Sequence, residues 1–328
     1  MGKIMNERLL FLLFLFSFLI LAGCLKESKK QKAIEIPESY SLNITSESEE
    51  IAKVKLVKLP IEEEKKEEKT LEMISNFTED INAPLRISFF NVGENERLTL
   101  ISKGDFDVVI SSISEKNIEN AVSLIKSNAD DVELFIIPYA KTLNNDIKII
   151  ENVDVAKIIV PDYDKVSLGE EKVIVEKASN GKIYEGNGIK IEIVTPFLKS
   201  FTGDEANSIS LYISDRNFSM FIGNDIIEGV IGKIVASNVI KDIDVIVMPS
   251  YGKGEAGGAN MKLFIDKTKP ENAVFEGKGI DLNYIESDDS RAAMVNYLKA
   301  KGIKQYFVGN NKVIKIFYNG ESYEIKEE

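Results

Sequence analysis

The chain has no histidine, no tryptophan and only one cysteine among its 328 residues. The lack of histidine excludes Ser-His-Asp and Cys-His catalytic arrangements, since each needs an imidazole as its base. Zinc sites are built chiefly from imidazole and thiolate ligands, so zinc hydrolase chemistry is excluded as well. With one cysteine, no disulfide can form within the chain.

Positive charge is also scarce, with 41 Lys and Arg against 53 Asp and Glu and a formal net charge of −12. A field of this sign repels phosphate backbones, so no nucleic-acid partner is expected. The many acidic residues leave a carboxylate-dependent or magnesium-dependent hydrolase open, but no specific carboxylate pair stands out from the solvated background.

No apolar run reaches the roughly 20 residues that a membrane-spanning helix needs. Leu9 to Leu21 is almost wholly apolar, follows Lys3 and Arg8, and is typical of a secretory signal. It ends in Leu21-Ala22-Gly23-Cys24, which resembles the lipobox of a lipoprotein signal peptide. We therefore expect Cys24 to carry a lipid, with the chain held on the membrane outside the cytoplasm. An uncleaved N-terminal anchor is the alternative, and it gives the same location.

Composition divides the chain into four segments. After the signal peptide of residues 1–24, residues 25–60 form a polar tether, in which Val54 to Leu59 could be a short strand. Residues 61–84 carry a helix from Ile61 to Ile81, whose apolar stripe is expected to dock on the body. Residues 85–328 alternate strand and helix patterns, with paired strands near each end. This order predicts a layered α/β sandwich, and Asn319-Gly320 predicts a two-residue hairpin turn between the last two strands.

The order of motifs in residues 85–323 resembles the extracytoplasmic metallo-β-lactamase-fold domain of ComEC-type competence proteins. The family's F-x-x-V-G-Q-G-D and V-L-I-D-G-G strand ends correspond to Phe89–Glu96 and Val108–Ser112. Its T-H-x-H-x-D-H loop corresponds to Pro138–Asn144. Its later N-N-x-S-L, F-L-x-T-G-D, D-V-L-K-V-x-H-H-G and V-x-P-x-x-A-V segments correspond to Asn207–Leu211, Phe218–Asn224, Asp244–Gly252 and Thr268–Val274.

This resemblance implies a four-layer αββα sandwich of two mixed β-sheets, with a metal site at one end. The family's ligand positions are here filled mostly by residues that bind metals poorly, namely Tyr139, Lys141, Leu143, Asn144, Asn224, Asp225 and Ser250. Asn224 is neutral where the family has a bridging aspartate, although Asp225 could replace it after a shift of one residue. The resemblance therefore implies a fold that has lost its zinc, and we expect no cofactor.

A site built for a dication leaves a polar hole once the metal ligands are lost. We expect the replacing side chains to fill it, with Tyr139 and Leu143 occupying space and Asn144 and Ser250 satisfying backbone groups. Lys141 is expected to pair with Asp225 or another carboxylate in place of the metal. A Ser-Lys pair of Lys141 with Ser111 or Ser250 is a further, less specific catalytic possibility.

Two short motifs point elsewhere. Gly252, Lys253, Gly254 and Gly257 match G-x-G-x-x-G after a strand, with Glu276 near the spacing of a ribose-binding acid. Such a loop could bind a nucleotide or another anion, although the short helix that follows favours a plain flexible loop. Asn43-Ile44-Thr45, Asn76-Phe77-Thr78 and Asn217-Phe218-Ser219 fit the N-glycosylation acceptor pattern.

Together these observations favour a lipid-anchored extracytoplasmic protein with a non-catalytic domain that binds an unidentified protein or small molecule. The loops after Ile110, Ile137, Gly223 and Ser250 form the expected contact face. A carboxylate/Mg hydrolase or phosphodiesterase on the same fold is the alternative, and a nucleotide-binding domain is a second one.

Overall fold

The computed structural model describes residues 40–42, 56–58, 80–93, 96–161, 173–197, 207–238, 240, 242–249, 258–276, 290–309 and 313–328. The chain divides into two units between Asn76 and Phe77. In the first unit, strands β1 (Tyr40–Leu42) and β2 (Leu56–Lys58) pair antiparallel, with Ser41 opposite Val57. The segment predicted as a polar tether thus contains a strand pair, and β2 overlaps the short strand predicted there. The signal segment, Cys24 and all of the predicted helix except Asp80 and Ile81 lie outside the described residues.

The second unit contains a mixed sheet of eight strands, whose central members are buried on both faces. Its order is β17-β16-β3-β4-β5-β6-β7-β8. The strands are β3 (Leu85–Phe90), β4 (Arg97–Lys103), β5 (Phe106–Ser112), β6 (Val132–Ile136), β7 (Val155–Val160), β8 (Ile174–Lys177), β16 (Ile314–Tyr318) and β17 (Tyr323–Glu327). The run from β5 to β8 is parallel and the other pairs are antiparallel.

A second mixed sheet has seven strands in the order β15-β14-β13-β12-β11-β10-β9. They are β9 (Ile183–Gly186), β10 (Ile189–Ile193), β11 (Leu211–Asp215), β12 (Phe218–Ile222), β13 (Val245–Val247), β14 (Asn272–Phe275) and β15 (Lys304–Phe307). Strands β12 to β15 run parallel, so their carboxyl ends meet at one edge of the sheet.

Three apolar cores hold the layers together. The inner core lies between the sheets and is formed by alternate residues, such as Ile87 and Ile110 from one sheet and Ile213 and Met220 from the other. Helices α1 (Ile118–Lys126) and α2 (Leu143–Ile150) cover the outer face of the eight-stranded sheet. Helices α3 (Glu228–Ser237), α4 (Ala259–Thr268) and α5 (Ser290–Ala300) cover the outer face of the seven-stranded sheet. The predicted α/β sandwich of two mixed sheets with outer helices is confirmed.

Three local features differ from what the sequence led us to expect. Leu143 and Asn144, which the family motif placed in a loop, begin α2, because Leu143, Ile149 and Ile150 lie on one helical face and pack on the sheet. Strands β8 and β9 were not predicted; their residues are largely exposed and lack a buried alternation. The last hairpin turn spans residues 319–322, not two residues, because the Asn319 side chain accepts hydrogen bonds from the amides of Glu321 and Ser322.

Candidate functional site

A buried arginine joins the two sheets at the edge where β12 and β14 end. Arg97 is the first residue of β4, and its side chain is 0% exposed. Alternate residues of a strand face the same side, so Arg97 and Thr99 both face the other sheet. Their side chains form hydrogen bonds with groups of that sheet. The partners Asn224 and Asp225 lie two and three residues after the end of β12, and Glu276 is the first residue after β14. We call these five residues the Arg97 cluster.

The distances in the Arg97 cluster are those of a charge-assisted network. Arg97 Nε donates to Glu276 Oε2 at 2.6 Å, and Nη1 donates to Asn224 Oδ1 at 2.9 Å. Nη1 also lies 3.6 Å from Asp225 Oδ2. Thr99 Oγ1 donates to the other carboxylate oxygen of Glu276, Oε1, at 2.9 Å. One guanidinium therefore balances two carboxylates within the protein interior, where an unpaired charge would be costly.

Asn224 is held in a backbone conformation that few side chains adopt. Its φ is 49°, in the left-handed region that asparagine tolerates better than most residues. Its side-chain amide donates to the carbonyl of Ile209, so both ends of the amide are used. The Asp225 amide donates to Ser208 Oγ at 3.3 Å, and Ser208 Oγ donates to the Pro138 carbonyl at 3.0 Å. The Arg97 cluster is thus tied to the end of β6.

The positions predicted from the T-H-x-H-x-D-H loop do not join this cluster. Lys141 is exposed and makes no ion pair with a described residue, so the expected Lys141–Asp225 pair is replaced by Arg97–Asp225. Leu143 is buried between α2 and the outer face of the eight-stranded sheet. It packs in this interface and does not fill a former metal pocket. Asn144 is exposed, and Tyr139 is half-buried, its carbonyl accepting from Thr142 Oγ1 at 3.1 Å. Of the seven predicted positions, the structure brings Asn224 and Asp225 together, while Ser250 lies outside the described residues.

The glycine-rich motif, including Gly252, Lys253, Gly254 and Gly257, also lies outside the described residues, but the helix that follows it is described. At the start of α4 the amide of Asn260 donates to Glu228 Oε1 at 2.5 Å. A Cβ at Gly258 would come within 2.4 Å of the Glu228 carboxyl carbon, so the carboxylate lies directly against the helix start. A pyrophosphate would bind at such an N-terminus, yet a carboxylate of the chain already lies there.

The other half of the nucleotide fingerprint is occupied as well. Glu276, which has the spacing of a ribose-binding acid, uses one oxygen for Arg97 and the other for Thr99. The two described groups of the motif, the start of α4 and Glu276, are therefore both bound by side chains of the domain itself. This argues against nucleotide binding at these two groups.

A second polar site lies between α2 and the eight-stranded sheet. Asp146 is fully buried, and Ser111 Oγ donates to its Oδ1 at 2.6 Å. Burial is the main cause that raises the pKa of Asp146 to about 8, and the nearby negative charge of Glu96 raises it further. Hydrogen bonds from Ser111, Thr142 and the Ile113 amide act in the opposite direction and lower it. At neutral pH this aspartate is therefore mostly protonated. Ser111 is engaged here and not with Lys141, so the Ser-Lys possibility for this serine is not realised.

A third polar site consists of two carboxyl groups, one at the start of β5 and the other in β6. The Asp107 amide donates to Glu133 Oε2 at 2.6 Å. Burial raises the pKa of Asp107 to about 6, with further raising by Asp131 and lowering by Ser102. Burial also raises the pKa of Glu133 to about 7. Both groups lie on the outer face of the eight-stranded sheet, away from the Arg97 cluster.

The residues at the edge of the sheets do not fit a zinc ion. The oxygens available there belong to Glu276, Asp225, Asn224 and Thr99, and the fixed positive charge of Arg97 lies among them. A dication at this place would be repelled by the guanidinium and would lack nitrogen or sulfur ligands. Within the part of the chain that the structure describes, no group of three or more Asp, Glu, Cys or His is placed to hold a metal.

Arg97 was not predicted because the segment compared with the family motif, Phe89–Glu96, ends one residue before it. A signal was present in β4, where Arg97, Thr99 and Lys103 alternate with apolar residues in a strand buried along its whole length. Polar residues in such a strand require partners across the sandwich, and Glu276 at another strand end was an available one.

No described helix is long and apolar enough to cross a membrane.

No protein-family model matches the chain, and neither does any curated protein sequence. Among solved structures, the chain is similar to the metallo-β-lactamase-fold protein YhfI from Bacillus subtilis, with 9% identity and a TM-score of 0.46 over 75% of this chain and 100% of that one. The diiron β-hydroxylase CmlA from Streptomyces venezuelae gives 10% identity and a TM-score of 0.45 over 68% of this chain.

The chain spans about half of CmlA, 52% of its length. MEM-A1, a subclass B3 metallo-β-lactamase from a soil metagenome library, gives 11% identity and a TM-score of 0.36 over 69% of this chain and 96% of that one. At this level of similarity nothing about metal, substrate or partner follows for this chain. The α/β sandwich of two mixed sheets is established by its own strand pairing.

Proposed function

We propose that this chain is a lipid-anchored, extracytoplasmic binding or scaffold protein whose metallo-β-lactamase-like domain is non-catalytic. The observation that carries the proposal is the position of Arg97. Its guanidinium neutralises Glu276 and Asp225 at the edge where the carboxyl ends of β12 and β14 meet. A hydrolase that used these carboxylates to bind a metal or activate water would need them free, and here they bind a side chain.

The location rests on the sequence. Leu21-Ala22-Gly23-Cys24 follows a short apolar run and resembles a lipobox, so Cys24 is the lipid-bearing residue in this proposal. Residues 25–60 are the tether that follows the lipid attachment in this proposal. The ComEC-type resemblance belongs to the same proposal, because it associates this fold with the outer side of the membrane.

The binding face in this proposal is the edge that carries the Arg97 cluster together with the segment after β6. Lys141 is exposed in that segment and Asn144 is exposed at the start of α2, so both are available for contact. The net charge of −12 favours a protein or small-molecule partner over a nucleic acid.

The alternative with carboxylate-dependent chemistry is tested by activity. The full chain is assayed on a phosphodiester such as bis(p-nitrophenyl) phosphate with magnesium and with manganese, beside Glu276→Gln and Asp225→Asn. We expect no turnover above the buffer rate in any of the three. Metal-dependent turnover by the wild type that disappears in the folded Glu276→Gln protein would establish the hydrolase in place of the scaffold.

The binding role is tested by site-specific photo-crosslinking in membranes of the source cells. A crosslinking residue at position 141 is compared with one at exposed Glu185, on the edge strand β9. We expect a defined adduct from position 141 only. Equal adduct patterns from both positions, or none from either, would contradict the proposed face.

A further inference from the structure

The two-residue turn between β11 and β12 carries one of the three glycosylation acceptor patterns of the sequence. Strand β11 ends at Asp215 and β12 begins at Phe218, with these two residues paired, so Arg216 and Asn217 form the tip. Asn217-Phe218-Ser219 fits Asn-X-Ser, and Asn217 is exposed. The other two patterns, at Asn43 and Asn76, begin outside the described residues.

The backbone of this turn is fixed by groups other than the asparagine side chain. The Asn217 amide donates to Tyr318 Oη at 3.3 Å, and Tyr318 Oη donates to the Gly320 carbonyl at 2.8 Å. Arg216 lies 5.3 Å above the Tyr318 ring, with its Nε 3.3 Å from Asp215 Oδ1. The Asn217 side chain has no hydrogen bond to a described residue. A group added to its amide nitrogen would therefore break no contact of the folded domain.

The position of the turn also leaves the proposed binding face open. Asn217 precedes β12 and Asn224 follows it, so the strand separates the turn from the Arg97 cluster. At the ordinary rise of a strand, the distance between these two residues is about 20 Å. A bulky group at the tip would stand at the opposite end of the sandwich from Arg97.

We propose that Asn217 is a site of N-linked glycosylation. This inference rests on the proposed extracytoplasmic location, because the donors are lipid-linked sugars used on that side of the membrane. The amide nitrogen of Asn217 forms a bond to C1 of a sugar carried on a polyprenyl phosphate or pyrophosphate. The C1–O bond to the phosphate breaks, the phosphate leaves with the electron pair, and the amide gives up one proton to a base of the transferase.

The folded structure restricts when this transfer takes place. Ser219 Oγ donates to the Asp242 carbonyl at 3.1 Å and to Asp244 Oδ2 at 3.2 Å, so the hydroxyl of the acceptor pattern is turned inward. Recognition of the pattern therefore precedes the packing of β12 against the segment that leads into β13. After folding, only the modified Asn217 is presented to solvent.

The test is mass spectrometry of peptides that contain residue 217, from full-length protein purified from membranes of the source cells. We expect a sugar mass on Asn217 in the wild type. Asn217→Gln should lose it completely, and Ser219→Thr should keep it, because threonine preserves both the acceptor pattern and the hydroxyl. The mass of the N-terminal peptide, which reports processing at Cys24, is recorded in the same samples.

Unmodified Asn217 on chains processed at Cys24 would overturn the glycosylation site while leaving the proposed location standing. Chains that are unprocessed and found in the cytoplasm would overturn the location and this inference with it. A sugar mass that persists in Asn217→Gln would assign the modification to another residue and so reject this site.

Discussion

At the scale of single residues, we expect Arg97 to stabilise the edge of the sandwich by balancing the charge of nearby carboxylates. We expect Arg97→Met to destabilise the domain by about 3–5 kcal/mol, because it leaves the buried Glu276 carboxylate, and the partly buried one of Asp225, without their positive partner. Urea unfolding followed by circular dichroism measures the change. The matched control is Lys141→Ala, which should shift stability by less than about 0.5 kcal/mol since Lys141 is exposed.

This expectation corrects the sequence-based one, which assigned the stabilising charge to Lys141. A double variant sharpens the test, because Arg97→Met with Glu276→Met removes both main charges. It should recover much of the loss, as apolar replacement of a buried ion pair is often neutral or better. If the single and double variants are equally unstable, packing and not charge explains the role of Arg97.

Asp146 is expected to make stability depend on pH. Its pKa is raised to about 8 in the folded state, so the folded protein holds a proton that the unfolded chain releases near pH 4. Stability is therefore fully present below about pH 4 and is lost as the pH rises to about 8, by up to about 1.4 kcal/mol per pH unit from this group. Asp107 and Glu133, with pKa values of about 6 and about 7, act in the lower part of that window.

Asp146→Asn isolates this effect, because asparagine is neutral at all pH values and can still accept from Ser111. Unfolding free energies at pH 7 and pH 8 should differ less in the variant than in the wild type. An unchanged pH slope in that interval would show that Asp146 does not hold its proton there. Asn144→Ala, at an exposed position of the same helix, is the control and should leave the slope as it is.

At the scale of elements, the start of α4 depends on a residue from α3. Glu228→Ala removes the carboxylate that accepts from the Asn260 amide, and we expect a loss of about 1 kcal/mol, as for other helix caps. Chemical denaturation provides the measurement, with Leu263→Ala on the exposed side of α4 as the control. A loss no larger than that of the control would mean that the helix start is satisfied by other groups.

The elements also show how far the sequence alone could go. The layered α/β sandwich and the final pair of strands were predicted from residues 85–328, because alternation of apolar and polar residues is a strong local signal. Helix α2 was missed because the family motif suggested a loop at Pro138–Asn144, which overlaps the start of the helix. The Arg97 cluster was missed for another reason. Its members are up to 179 positions apart in the chain, and only the pairing of two sheets brings them together.

At the scale of the whole molecule, one cysteine is expected to determine where the protein resides. Cys24→Ser removes the thiol that would carry the lipid, and no second lipid site is indicated by the sequence. We expect the variant to escape lipidation and processing, which fractionation and N-terminal mass spectrometry of whole cells would report. Ser28→Ala, four residues away in the predicted tether, is the control and should behave as the wild type. Unaltered processing and mobility of Cys24→Ser would contradict the lipobox interpretation.

The pairing of β3 with β16 has a consequence for the order in which the chain matures. The first strand of the sandwich finds its outer neighbour only among the final residues, with Ile87 opposite Ile316. While the ribosome is still synthesising the chain, β3 has one free flank, and the eight-stranded sheet cannot close until residues 313–328 emerge. Contacts this distant in sequence make folding slow. One flank of β3 therefore stays unpaired until late in synthesis, and residues 313–328 complete the sheet.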